Sequence, residues 1–258
     1  MSQTATHEAL VTSQFGPQAA AYVLSSVHAR GEDLAAMARA IAERGPARLL
    51  DMGCGGGHVS FAAAPHAGEV VAYDLSDQML GAVEAEAARR GLANVVTRQG
   101  SAEALPFADA SFAAVATRYS VHHWGNAARG VAEAARVLEP GGLALFADVI
   151  APADPLLDTF LQSFELLRDT SHVRNYSAAH WRGMVEAAGL EVVSVAFARL
   201  PLDFVAWIAR INTPPHFASA IRALQDAMAT RVRDYFEIDA AGNFVIDTMV
   251  LTAQKPSR

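Results

Sequence analysis

The chain has 258 residues, a hydrophobic content of 52% and a formal net charge of −7. Its length and composition point to one elaborated globular domain spanning 1–258, and the acidic balance argues against non-specific attraction to nucleic-acid phosphates. A single cysteine, Cys54, excludes an internal disulfide or a CxxC pair, and no uncharged apolar run reaches the roughly 20 residues of a membrane span. MSQTATHEALVTSQFG has no basic start followed by an apolar core, so the expectation is a cytoplasmic protein without a signal peptide.

Residues 1–14 are polar and expected to be mobile. Helical spacing follows over Ala19–His28 and Leu34–Glu43, with Leu34, Met37 and Ile41 on one face. Short apolar runs then alternate with helices. Strands are predicted at 47–52, 69–74, 93–99, 112–119 and 142–150, and Ser76 and Gly91 bracket a helix as its caps. That rhythm predicts a doubly wound α/β fold with a mostly parallel sheet. Beyond Pro152, Asp154-Pro155 opens a helix with Phe160, Leu161, Phe164 and Leu167 on a broad apolar face. Ser177 caps another helix, 190–200 reads as a strand, helices fit 203–211 and 215–228, and 243–254 alternates as a last, antiparallel strand. The sheet core is therefore assigned to about 45–150, 190–200 and 243–254, and a helical lid to about 15–44, 153–188 and 203–236.

The stretch LLDMGCGGGH (49–58) places glycines at 53, 55, 56 and 57 directly after a strand. Residues without side chains there let the backbone approach a ligand closely. A phosphate loop would need a lysine after the glycines, and none follows. The dinucleotide fingerprint G-x-G-x-x-G fails at its third position, which is His58, although Asp74 lies where a ribose-binding acid belongs. The remaining pattern is D-x-G-x-G-x-G, filled by Asp51, Gly53, Gly55 and Gly57.

That loop resembles the nucleotide loop of class I S-adenosylmethionine-dependent methyltransferases. The resemblance continues through VVAYDLSDQML, QGSAEALPFADASFAAV and RVLEPGGLALFAD, in order over about residues 45–150. The last two look like motifs of the small-molecule branch around the ubiquinone/menaquinone C-methyltransferases. It implies a Rossmann-like seven-stranded sheet, S-adenosylmethionine as cofactor with S-adenosylhomocysteine as product, and a small-molecule acceptor; the acidic balance and the lack of a visible basic stripe argue against a nucleic-acid partner, and no metal is expected. The implied cofactor residues are Asp51, Gly53, Cys54, Gly55, His58, Asp74, Leu75, Met79, Ser101, Ala102, Glu103, Arg118 and Tyr22. Asp74 would accept the two ribose hydroxyls and Asp51 the cofactor's ammonium. Phe15 belongs to a segment resembling one that covers the cofactor in some relatives.

Two departures from the family pattern matter. Ser101 and Ala102 stand where many relatives carry an acid for the adenine amino group. After the fourth strand the chain reads Arg118-Tyr119-Ser120-Val121-His122-His123-Trp124 and not an Asn-Pro-Pro-Tyr type motif, which favours a carbon or oxygen acceptor over nitrogen. His122 and His123 are the candidates for a general base, because a histidine's free pKa is near neutral. Trp124, Arg168, His172, Arg174 and Tyr176 are candidates to bind the acceptor, the last four from the polar stretch RDTSHVRNY between two apolar helices. The alternative is a protein that binds S-adenosylmethionine or S-adenosylhomocysteine without transfer, as a sensor or partner module. The oligomeric state, monomer or homodimer, is left open.

Overall fold

Seven strands form one sheet in the order β3-β2-β1-β4-β5-β7-β6 in the computed structural model, which describes residues 6–19, 23 and 31–257. The strands are β1 (Arg48–Met52), β2 (Glu69–Asp74), β3 (Val95–Gln99), β4 (Phe112–Arg118), β5 (Leu138–Val149), β6 (Glu191–Leu202) and β7 (Phe244–Gln254). The first five are mutually parallel, while β7 pairs antiparallel with both β5 and β6. The order reverses between β1 and β4, so the carboxyl ends of these two strands flank the crevice where open α/β sheets bind ligands.

The alternation of side chains along a strand sends neighbours to opposite faces. Leu50 and Met52 join Val71, Val115, Phe146 and Trp181 in one buried cluster, while Leu49 joins Met37, Ile41, Val70 and Leu145 in another. Helices cover both faces: α2 (Glu32–Arg44), α3 (His58–Ala63), α4 (Asp77–Arg90), α5 (Ala127–Val137) and α7 (Ala178–Ala187), after α1 (His7–Phe15) and with α6 (Pro155–Arg168) leading into the lid. The expected caps form. Ser76 Oγ accepts the Met79 N–H at 3.3 Å, Gly91 closes α4 at φ 72°, and Asp154 Oδ1 accepts the Leu156 N–H at 2.9 Å.

A third buried cluster is the lid itself. Leu157, Phe160, Leu161 and Phe164 of α6 pack with Trp207 of α8 (Phe204–Ala209), Ile221 of α9 (Pro215–Ala227), Val232 of α10 (Thr230–Tyr235) and Phe244 of β7. Its interlocked aromatic rings, such as Phe164 against Trp207 at 5.5 Å, bury large apolar areas.

Several expectations are corrected. Residues 7–15, expected to be polar and mobile, form α1, whose Thr6 side chain caps it by accepting the Ala9 N–H. Helices α2 and α7, assigned to the lid, lie on the faces of the sheet, because Met37 and Ile41, and Trp181 and Val185, are buried in the sheet clusters. Strand β5 begins at Leu138, ahead of the Pro-Gly-Gly turn. The segment Ala19–His28 lies outside the described residues except at 19 and 23.

Candidate functional site

The backbone leaves β1 through Gly53 at φ 64° and enters α3 through Gly57 at φ 76°, both in the left-handed region that side chains disfavour. A Cβ on Gly53 would overlap the Ser120 hydroxyl, and one on Gly57 would come within 2.9 Å of Phe61 and Val83. Gly55 is different. A Cβ there would meet nothing within 4 Å, and its backbone borders two cavities, one on each side of the loop. The N–H groups of Gly53 and Cys54 donate to the Tyr73 carbonyl at 2.7 and 3.0 Å, which fastens the loop to the end of β2.

Asp74, at that strand end, accepts the Gly55 N–H on Oδ2 and the Ser76 N–H on Oδ1, each at 2.9 Å. Burial raises its pKa, opposed by these backbone donors. Each oxygen carries two acceptor positions, so a carboxylate held in this way can still accept from a ligand. Leu75, Met79, Ser101, Ala102 and Glu103 line the same first cavity as Asp74. Its roof is α1, pinned by His7 Nε2 at 2.8 Å from the His123 carbonyl and by Gln14 Nε2, which donates to the Ile211 carbonyl at 3.0 Å. A glycine floor, a carboxylate at the β2 end and an apolar wall from α4 fit an adenosine-bearing cofactor. Tyr22 lies outside the described residues.

The second cavity lies across the loop and holds Asp51, Cys54, His58 and Arg118. Asp51 Oδ2 accepts both the N–H and the hydroxyl of Ser60, at 2.9 and 2.6 Å, and burial pushes its pKa up to about 7 against those bonds. Burial likewise lifts the Cys54 thiol. Arg118 grips Asp33 at 2.5 and 3.1 Å. Burial of Asp33 works against ionisation, but this guanidinium outweighs it and lowers the pKa. Tyr119 follows at φ 53°, a strained conformation for a bulky residue and one that clusters at functional sites.

The two histidines part company here. His122 Nδ1 is 2.6 Å from Asp148 Oδ1, and Asp148 is fixed at the end of β5 by the N–H groups of Val121 and Val149. Burial disfavours a charged His122 ring, yet the Asp148 carboxylate outweighs it and the pKa rises. His123 borders both cavities, with Nδ1 3.2 Å from the Ser171 carbonyl; burial, then the neighbouring His122, holds its pKa at about 4. The rest of the second cavity comes from the lid and sheet end, notably Glu165, Arg168, Asn175, Leu202 and Trp207.

Four acceptor candidates lie outside the lining of the second cavity. Trp124 borders the first cavity and not the second, its indole N–H donating to Ser120 Oγ at 3.1 Å. Arg174 turns away to pair with Asp158 at 2.5 Å, His172 is tied to Gln162 at 3.0 Å, and Tyr176 bridges to Ile150 and packs on the sheet core. None of these three lines either cavity; Arg168 does. Sequence reasoning missed Asp33, Glu165 and Tyr119, which depend on contacts between distant segments. Of the α1 roof it named Phe15, the last residue of the helix, which borders both cavities, and not the residues before it.

A family model described as a methyltransferase domain matches residues 50–146. The chain is 44% identical over 199 residues to the protein YafE of Escherichia coli (strain K12), an alignment covering 77% of this chain and 96% of YafE. It is 36% identical over 222 residues to the methyltransferase YcgJ of Bacillus subtilis (strain 168), covering 86% and 88%. The crystal structure of YcgJ matches with a TM-score of 0.83 at 33% identity, over 87% of this chain and 98% of that one. The demethylmenaquinone methyltransferase of Chlorobaculum parvum (strain DSM 263 / NCIMB 8327) is 36% identical over 116 residues, 45% of this chain and 46% of its own.

Proposed function

The chain belongs to the class I S-adenosylmethionine-dependent methyltransferases, and from that premise we propose that it methylates a carbon or oxygen of a small acceptor held in the second cavity. The observation that carries this reading is His122, a histidine backed by a buried carboxylate, in a cavity that shares the glycine loop with the first. S-adenosylmethionine supplies a methyl group already activated on sulfonium, so what the protein must add is alignment, exclusion of water and, for a weakly acidic nucleophile, a base.

The first cavity offers Asp74 to ribose hydroxyls and the bare loop backbone to the amino-acid part. Asp51 and Arg118, on the far side of the loop, suit an ammonium and a carboxylate. Asp148 holds the proton on Nδ1 of His122, which leaves Nε2 as the basic nitrogen. The roof of α1 and the apolar lid keep water out. The apolar walls of Leu202 and Trp207 favour an acceptor with an apolar body, in line with the demethylmenaquinone named for one relative. The Arg118-Tyr119-Ser120 sequence at the end of β4 supports carbon or oxygen over nitrogen.

Incubation of the protein with a metabolite extract and methyl-labelled S-adenosylmethionine tests the reading. The expected result is a labelled small molecule formed together with S-adenosylhomocysteine. Tight cofactor binding with no labelled product from any extract would instead mark a binding protein without transfer.

A further inference from the structure

Asn175 presents an anomaly. It is 1% exposed, and neither its amide nitrogen nor its amide oxygen has a hydrogen-bond partner among the described residues. Its backbone, by contrast, is held at both polar atoms by one side chain. The Asn175 N–H donates to Gln162 Oε1 at 3.0 Å, and its carbonyl accepts from Gln162 Nε2 at 2.8 Å. A residue fixed so firmly, bordering the second cavity with a donor and an acceptor both unspent, is one that native structures rarely keep without something to bind.

The helix that carries Gln162 bears a second unspent group. Gln162, Glu165 and Arg168 follow at i, i+3 spacing along α6, so they share a face. Arg168 donates through Nε to the Trp207 carbonyl at 3.2 Å and lies on the Trp207 ring at 4.7 Å. Its nearest carboxylate is Glu165, at 4.0 Å, and its terminal nitrogens make no hydrogen bond among the described residues. A guanidinium anchored on one edge and open on the other is suited to a carboxylate. The Gln162 level, where Asn175 is clamped, and the Arg168 level are separated by six residues, roughly 9 Å of helix. Val149, Leu202, Trp207 and Ile246 supply apolar wall to the same cavity.

The geometry points to a two-headed acceptor: an apolar body with a carboxylate at Arg168 and, at the other end, a hydroxyl or enol group paired with the Asn175 amide. The hydroxyl end is the reacting end. The His122 carbonyl accepts the N–H groups of Val173 and Arg174, at 2.8 and 3.2 Å, which sets the base's own turn against the segment that carries Asn175. This inference rests on the methyl-transfer reading for its reaction, but its specificity residues are tested by binding alone.

Calorimetric titration of 4-hydroxycinnamate, cinnamate and 4-vinylphenol into protein saturated with S-adenosylhomocysteine is the test. 4-Hydroxycinnamate is expected to bind at least about tenfold tighter than either single-headed probe. Arg168→Met should weaken both acids and spare 4-vinylphenol. Asn175→Leu should weaken both phenols and spare cinnamate while raising the melting temperature, since it removes two unpartnered buried polar atoms. A purely structural Asn175 would give the opposite: a lower melting temperature and unchanged probe affinities. Asn175→Ala serves as a second variant if leucine does not fit. Equal affinity for all three probes, binding of none, or probe preferences that survive in Asn175→Leu and Asn175→Ala would overturn the inference. If the extract yields no methylated product but the probe hierarchy holds, the two-headed site stands and the transfer reading fails.

Discussion

His122 Nδ1 and Asp148 Oδ1 lie 2.6 Å apart, and the carboxylate that holds the ring is 1% exposed and anchored by two backbone N–H groups. Burial disfavours the imidazolium, but Asp148, with Glu165 and Asp169 adding to it, moves the His122 pKa above 6.5. Only the neutral ring is a base, so the transfer rate should rise with pH along a limb centred above 6.5. Asp148→Asn removes the counter-charge and leaves burial in control. The limb should then shift to lower pH and the plateau should fall. A pH–rate profile whose midpoint is unmoved in Asp148→Asn would break the proposed link between the two residues.

Asp74 should govern cofactor affinity. Asp74→Ala removes the acceptor for ribose hydroxyls and also strands the N–H groups of Gly55 and Ser76. Calorimetry should show S-adenosylhomocysteine binding weakened by about tenfold to a hundredfold. Affinity within twofold of wild type would mean that Asp74 is a loop fastener only.

Asp51 gives cofactor binding its own pH dependence. Burial lifts its pKa to about 7, so below that pH the free protein carries it protonated. A bound ammonium favours the ionised form, hence affinity should increase as pH rises from about 5.5 to 7. Asp51→Asn should flatten this slope. A slope that persists in the variant would assign the linkage to another group.

His172 makes a stability prediction. Burial, then the positive charges of His122, His123 and Arg168, holds its pKa at about 2, against 6.5 for the unfolded chain. Below about pH 6.5 the unfolded state takes a proton that the folded state refuses, so this residue's contribution is present above 6.5 and lost as pH falls. His172→Gln abolishes that loss. Relative to wild type, the variant should gain about 1 to 2 kcal/mol between pH 7 and pH 5, read from denaturant melts at each pH. A stability difference independent of pH would refute the assignment.

The sheet was readable because its strands are short buried runs and its turns carry cap chemistry: Ser76, Gly91 and Asp154 each do locally what their type suggests. The floor and α4 side of the first cavity were readable for the same reason, since Asp74, Leu75, Met79 and Ser101 follow their strand ends within a few residues. The loop side of the second cavity was readable too, through Asp51, Cys54, His58 and Arg118, but its lid side was not: Glu165 and Trp207 come from separate elements brought together by lid packing, and no local spacing encodes that. The polar stretch 168–176 does border the second cavity, through Arg168 and Asn175. Which of its residues turn inward was decided by Asp158 and Gln162, partners that draw Arg174 and His172 away.

The claim that His122 is the base for methyl transfer is tested most directly by His122→Asn, in which asparagine can keep a donor toward Asp148. Single-turnover transfer of labelled methyl to the extract-derived acceptor is measured beside S-adenosylhomocysteine affinity. The account predicts a transfer rate reduced by about a hundredfold to ten-thousandfold with cofactor affinity unchanged. Transfer by His122→Asn at the wild-type rate would contradict it.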